Sequence, residues 1–366
     1  MFSYDPLVVR FGVLEDMVLL TPLLRLLHRR HGQPCRVMGS GSWLEPLLDG
    51  HPDVQAVLTI ANLERPYWLD ATQREAARCL RMQPPGAVYV CDDSATAGVR
   101  RLLRRAGVLE DQCRFADPDC PLRAGEHWID RWRRFAEMTP PAFAPSAFRA
   151  DACGPSDPYL VLNASDREDL AEWLVRRGLA QAKVIVMQPE RDRARNRGHD
   201  GASGDAGGWH PAKWLALIQA LLTDPGDFTV VVCGALTHLG SVGGSRGVQA
   251  VGDDLPLRRF MALCEYATAM ISIDSGRAQV AAALGCPLIV LCGARPPSLW
   301  CPRSASGSPV LALGGPPVRS RIDQVTLDEV LAAWRELRAS NHGSESTSFP
   351  GPQRGDSGRA VQGNPQ

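Results

Sequence analysis

The sequence predicts an α/β protein of two doubly wound domains facing across a cleft, and three observations carry that expectation. At 366 residues the chain is longer than one hydrophobic core usually serves. Short, continuously apolar segments alternate with amphipathic ones along nearly all of it, the pattern of parallel strands buried on both faces between helices. A Pro- and Gly-containing stretch, 139–158, breaks the alternation near the middle and cannot continue a helix. It separates a first domain, 1–138, from a second, 159–339, and the remainder, 340–366, has the Ser, Gly, Pro and Gln composition of a disordered tail.

The elements follow in order. PLVVRFG reads as a strand ending at Gly12, and 16–28 as an amphipathic helix carrying Pro22 in its early turns. CRVM with 43–48, VQAVLTI with 69–82, and AVYVC with 97–106 repeat the strand-helix unit. Segment 126–138 places Trp128, Ile129, Trp132 and Phe135 at helical spacing. Beyond the linker, Ser165 and Glu168 form an S-x-x-E capping box for a helix running to Arg177, with Gly178 at its end. VIVM, FTVVVC, AMISI and PLIVLC are buried-strand candidates, separated by helices at 211–222, 256–265 and 279–284. Thr326 and Glu329 make a second capping box before the last helix, 327–340.

Composition narrows the function. Lys plus Arg and Asp plus Glu both number 40, so no global field recruits nucleic acid. The eleven cysteines are scattered without a C-x-x-C pair, which argues against a zinc site or redox dithiol and for reduced thiols in a cytosolic protein. The N-terminus does not read as a signal peptide, and no apolar run is long enough to span a bilayer.

Three segments bear chemistry. ISIDSGRAQVAAALGCPLIVLCG, 271–293, is a strand, an Asp-Ser-Gly turn, an Ala-rich helix and a second strand. Small residues there admit a ligand close to the backbone, and unpaired N–H groups opening the helix favour a phosphate. An isolated D-S-G is nonetheless more often a plain βαβ connection. Loop 188–210 holds Pro189, Arg191, Arg193, Arg195 and Arg197 and ends at Trp209; its arginines suit a diphosphate clamp and a solvated insertion equally. Glu15 and Asp16 follow the first strand at the carboxyl edge, where open α/β sheets bind ligands. A carboxylate there can act as general base, although compensation of the helix dipole is the commoner role.

Taken together, R-x-x-x-x-x-D with T-P after the first strand, HPDVQAVLTI, W-x-P-x-x-W and D-S-G-x-x-x-x-A-A-A-L-G-x-P resemble the ADP-heptose:lipopolysaccharide heptosyltransferases, glycosyltransferase family nine, in order over about residues 7–335. The resemblance implies two Rossmann-like domains in the GT-B arrangement, with acceptor on the first and nucleotide sugar on the second. It implies Asp16 as general base in an inverting transfer and Asp274, Ser275 and Gly276 as the donor-phosphate turn. Arg277, Gln279, Pro189 and Trp209 would complete the donor side. It requires neither metal nor cofactor, and a lipid-linked acceptor would bring the protein to the inner membrane peripherally.

The chain departs from that family at Glu15, where Gly is usual, at Gln279, where His is usual, and at Gly207-Gly208, where a basic residue commonly precedes the Trp. Gln279 still donates a hydrogen bond but brings no positive charge. A catalytically silent sugar-nucleotide-binding homologue is therefore the alternative, and a sugar-nucleotide epimerase of the same architecture a third.

Overall fold

The protein is described here from a computed structural model, which places residues 5–93, 96–143, 157–189, 208–234, 246–252 and 255–341. The tail from 342 onward and the arginines 191, 193, 195 and 197 lie outside the described residues.

The first sheet holds β1 (Leu7–Arg10), β2 (Cys35–Gly39), β3 (Val54–Thr59), β4 (Val88–Val90) and β5 (Cys113–Phe115). Its order is β3-β2-β1-β4-β5 and every pairing is parallel. Between the strands run α1 (Leu14–His31), α2 (Leu44–Leu48), α3 (Ala71–Met82) and α4 (Thr96–Arg105), followed by α5 (Ala116–Asp119) and α6 (Trp128–Ala136).

The second unit opens with α7 (Ala164–Arg176) and continues with β6 (Lys183–Gln188), α8 (Pro211–Leu222), β7 (Phe228–Cys233), β8 (Val248–Val251), α9 (Leu257–Tyr266), β9 (Ala269–Ile273), α10 (Gly276–Ala283), β10 (Leu288–Cys292), α11 (Pro297–Trp300), β11 (Val310–Gly314) and α12 (Leu327–Asn341). Its sheet runs β11-β10-β9-β6-β7-β8, again parallel throughout. The chain therefore folds as the doubly wound α/β protein that its apolar runs predict.

Local chemistry explains the differences from expectation. Strands β5, β8 and β11 all lie at sheet edges and are only partly buried; Arg114 and Gln249 interrupt the first two, and the third is a short apolar run that lies outside the predicted strands. Helix α7 begins before the anticipated Ser165-Glu168 box: Asn163 takes the N-cap position, and its backbone N–H donates to Asp166 Oδ2 at 2.7 Å. Helix α10 begins at Gly276 rather than 279, because Ser275 takes its N-cap and Oγ accepts from the Ala278 N–H at 3.4 Å. The Thr326 and Glu329 box is present, with Glu329 Oε2 accepting from the Thr326 N–H at 2.7 Å. Pro22 sits inside α1, where it cannot donate to Val18 O; the Thr21 hydroxyl donates there instead, at 2.9 Å.

Each sheet is apolar on both faces. One cluster including Leu80, Val99 and Phe115 covers the outer face of the first sheet, and one including Trp209, Trp214 and Leu337 that of the second. A third runs unbroken between the units, joining Leu20, Leu24 and Trp132 to Ala278, Ala282 and Phe260. Helix α1 thus packs on α6 within its own unit and on α10 of the other. The return from the linker is pinned to the first unit as well: the Tyr159 N–H donates to Thr21 Oγ1 at 3.2 Å, and its hydroxyl donates to Asp53. Eight of the ten described cysteines are buried and all ten are free.

Candidate functional site

In an open doubly wound sheet the ligand crevice lies where the strand order reverses, beyond the carboxyl ends. In the first sheet that point falls between β1 and β4, and in the second between β6 and β9. The segments leaving those four strands carry most of the residues singled out in the sequence.

From β1 comes Arg10, then a short turn, then the first turn of α1 with Glu15 and Asp16. Arg10 Nη1 donates to Cys91 O at 2.6 Å, which ties β1 to β4, and Nη2 stands 3.0 Å from Asp16 Oδ1. Asp16 Oδ2 accepts from the Val13 N–H at 2.9 Å, and Asp92 Oδ2 from the Phe11 N–H at 2.8 Å. Burial opposes the charge of Arg10, but Asp16 and Asp92 outweigh it and hold its pKa above the ordinary value. Gly12 makes this closure possible, since a Cβ there would lie 2.2 Å from Asp16 Oδ2. Asp16 is thus both helix cap and site carboxylate, oriented through both oxygens, with its side chain 15% exposed.

From β9 comes Asp274, then Ser275 and Gly276 at the start of α10. Its neighbour β6 ends at Gln188, with Pro189 next in the chain, half-buried beside the same edge. Arg277 Nη1 donates to Gln188 Oε1 at 3.3 Å, and its guanidinium lies 4.7 Å from the centroid of the Phe260 ring. Gln279, buried, donates Nε2–H to Trp300 O at 2.8 Å, which leaves Oε1 buried with no partner among the described residues. Its amide therefore turns an acceptor, not a donor, to whatever lies next to it.

The two edges meet. A Cβ on Gly276 would fall 3.2 Å from Leu14 Cβ and 3.3 Å from the Glu15 backbone nitrogen, so the first turns of α1 and α10 touch. Arg295, on the connection leaving β10, spans the junction: Nη1 donates to Glu15 Oε1 at 2.6 Å and Nε to Asp274 Oδ2 at 2.8 Å. Trp300 lies against the guanidinium, 4.7 Å from centroid to Cζ. Burial opposes the Arg295 charge, yet Glu15 and Asp274 outweigh it and hold the pKa above its usual range; burial lifts that of Glu15 above the ordinary carboxylate value while Arg295 pulls it down.

Beside the junction, His127 Nε2 donates to Cys301 O at 3.0 Å, Arg303 reaches Asp130 at 3.2 Å, and the Trp128 and Trp300 rings lie 5.1 Å apart. The structure so brings together Asp16, Pro189, Asp274, Ser275, Gly276, Arg277 and Gln279. Trp209 takes another place: its indole N–H donates to Val325 O at 2.7 Å in the second unit's outer core, edge-on to Trp214. Arg295 and Trp300 were not anticipated; the available signal was a charged residue just past a buried strand, at a carboxyl edge.

Residues 199–314 match the family model Glycosyltransferase family 9 (heptosyltransferase). The matched stretch contains Trp209, β9, the Asp274-Ser275-Gly276 turn, α10 and Arg295. The match supports the enzyme class, glycosyltransferase. In fold, the chain is similar to a family 9 glycosyltransferase from Veillonella parvula DSM 2008, at TM-score 0.70 and 14% identity over 93% of this chain and 99% of that one. It is similar also to the E. coli ADP-heptose lps heptosyltransferase II, at TM-score 0.66 and 19% identity over 92% and 99%. The E. coli heptosyltransferase WaaC solved with ADP superposes at TM-score 0.59 and 15% identity over 91% and 99%. These likenesses give the chain the GT-B arrangement of two Rossmann-like units. No curated protein sequence matches it. Among the described residues no helix is long and apolar enough to cross a membrane, and no three His, Cys, Asp or Glu side chains gather as a metal site.

Proposed function

We propose that this chain is an inverting glycosyltransferase that moves heptose or a related sugar from ADP-heptose to a lipopolysaccharide core or other surface glycan, with Asp16 as general base. The observation that carries this reading is the junction itself: the first turn of α1, which holds the oriented Asp16 carboxylate at the switch point of one sheet, touches the Asp274-Ser275-Gly276 turn at the switch point of the other. In this mechanism Asp16 takes the acceptor hydroxyl's proton as that oxygen bonds to the anomeric carbon and the carbon–oxygen bond to ADP breaks. The N–H groups opening α10 at Ser275, Gly276 and Arg277 receive the charge on the departing diphosphate. Solved structures of a heptosyltransferase similar in fold, with ADP and with ADP-2-deoxy-2-fluoro heptose, support ADP-heptose as the donor to test first.

The test is calorimetric binding of ADP-heptose to wild type and Ser275→Trp, then ADP release with a heptose-deficient lipopolysaccharide acceptor for wild type and Asp16→Ala. Binding lost with the first variant and release lost with the second support the transfer; release that survives Asp16→Ala removes the base assignment. One observation favours a second reading, a sugar-nucleotide-binding protein without turnover: both oxygens of Asp16 are already engaged, by Arg10 and by the Val13 N–H. Donor binding without ADP release by wild type would decide for it.

A lipid-linked acceptor calls for peripheral contact with a membrane. Trp68, 72% exposed, lines a shallow depression with Arg65, Arg101 and Arg105, a pairing of aromatic and basic groups suited to an anionic interface. Co-sedimentation with phosphatidylglycerol vesicles that Trp68→Ser leaves unchanged would count against this surface.

A further inference from the structure

We infer that Arg295 is the cation that faces the departing diphosphate in this chain, and that Glu15, from the opposite unit, is the residue that positions it. The inference rests on the nucleotide-sugar reading above and adds to it the side chain that balances the leaving group's charge.

A diphosphate at the opening of α10 needs more than backbone N–H groups, because two carboxylates, Glu15 and Asp274, stand beside it. The side chains of α10 do not answer that need. Arg277 reaches toward Gln188 and the Phe260 ring. Gln279 is neutral, and its NH2 already binds Trp300 O. Arg295 does answer it. It leaves β10, the strand paired with β9, and its Nε binds the carboxylate of Asp274, the residue directly before Ser275.

Its guanidinium is held on three sides. Asp274 takes Nε, Glu15 takes Nη1 and Nη2 at 2.6 and 3.3 Å, and the Trp300 ring lies against it. A guanidinium has five N–H groups, and these contacts leave at least one on Nη1 uncommitted. The side chain is 24% exposed while that of Asp274 is 5% exposed, so the arginine is the member of the pair open to a ligand. A planar fork presented this way matches the oxygens of a diphosphate. A second, independent sign of a ligand lies one turn into α10: Gln279 Oε1 is a buried acceptor with no donor among the described residues. A sugar hydroxyl supplies the donor it lacks.

The experiment titrates inorganic diphosphate, ADP and adenosine into the full chain, for wild type, Arg295→Met, Arg295→Lys, Glu15→Ala and the Glu15→Ala, Arg295→Met double variant. Loss of one charge-assisted contact predicts diphosphate and ADP binding about tenfold weaker in Arg295→Met, with adenosine binding unchanged. Arg295→Lys, which keeps the charge and serves if the methionine variant does not fold, should lose about threefold. Glu15→Ala should weaken both anions in the wild-type background and cause no further loss in Arg295→Met, a coupling that a merely structural role does not produce. Diphosphate and ADP affinities unchanged in both Arg295 variants would overturn the inference while leaving nucleotide binding in place. Arg295-dependent diphosphate binding without ADP binding would retain it and remove the nucleotide reading, and binding of neither anion by wild type removes both. A further loss on adding Glu15→Ala to Arg295→Met would overturn the positioning role of Glu15.

Discussion

Arg295 Nη1 stands 2.6 Å from Glu15 Oε1, although 280 positions separate the two residues in the chain. The same guanidinium binds Asp274, so one cation is shared by the first turn of α1 and the Asp274-Ser275-Gly276 turn of the second unit. Removing the cation leaves two carboxylates facing each other, whereas removing Glu15 leaves the Arg295 and Asp274 pair intact. Arg295→Ala is therefore expected to cost roughly 2–4 kcal/mol of stability and Glu15→Ala about 1 kcal/mol, the smaller figure reflecting partial exposure. Denaturant melts giving equal losses, or the reverse order, would refute this account.

Gly12 is a steric requirement of the Asp16 side-chain position. A methyl group there would lie 2.2 Å from Asp16 Oδ2 and 2.9 Å from Arg10 Nε, so Gly12→Ala must displace one or both. Turnover in the ADP-release assay should fall on the order of 100-fold, as misplacement of a reacting group by about 1 Å does. Donor binding on the second unit should stay within about twofold of wild type. Wild-type turnover in this variant would mean that Asp16 is not the base.

Gln279 separates shape from polarity. Its Nε2 faces the Trp300 carbonyl and its Oε1 is orphaned, so an apolar side chain of similar volume removes one hydrogen bond and one unsatisfied acceptor together. Gln279→Met should change stability by less than about 1 kcal/mol. Gln279→Glu sets a carboxylate against that carbonyl and should lose roughly 2–4 kcal/mol near neutral pH. Thermal melts in which the methionine variant is the worse of the two would contradict the assignment.

Three histidines give the fold an acid limit. His31, His51 and His127 are each pushed from 6.5 down to about 4, by burial foremost and then by nearby charges such as Arg30 at His31 and Arg303 at His127. Between those values the unfolded chain binds protons that the folded chain refuses, so their stabilisation is complete above about pH 6.5 and declines on acidification towards 4. The limiting slope is about 1.4 kcal/mol per pH unit for each histidine. Melting midpoints that stay level from pH 7 to pH 5 would be inconsistent with these burials. Replacing His127, whose Nε2–H binds Cys301 O, should flatten part of the slope.

Much of this architecture is readable from the linear chain because it depends on local regularities. A parallel strand between two helical layers is apolar on both faces, so VIVM, FTVVVC, AMISI and PLIVLC stand out as unbroken runs, and the Thr326 and Glu329 box marks its own helix. The D-S-G turn and Asp16 are visible for the same reason: each lies within a few residues of a strand end. The edge strands β5 and β8 escape notice because a half-covered strand carries a polar residue, Arg114 or Gln249, that breaks the run.

Tertiary structure alone decides which strand ends face each other, and with that the composition of the site. Nothing near Glu15 in the chain names Arg295, and nothing near Gln279 indicates that the Trp300 carbonyl will claim its NH2. Trp209 stands two residues ahead of Pro211, which opens α8, yet its indole is turned to Val325 in the outer core. Side-chain periodicity records burial, a property of one element against its surroundings, and it determined the elements and their class. Ion pairs across the cleft depend on the rotation of two sheets relative to each other, which the contact of α1 with α10 through one continuous apolar cluster sets.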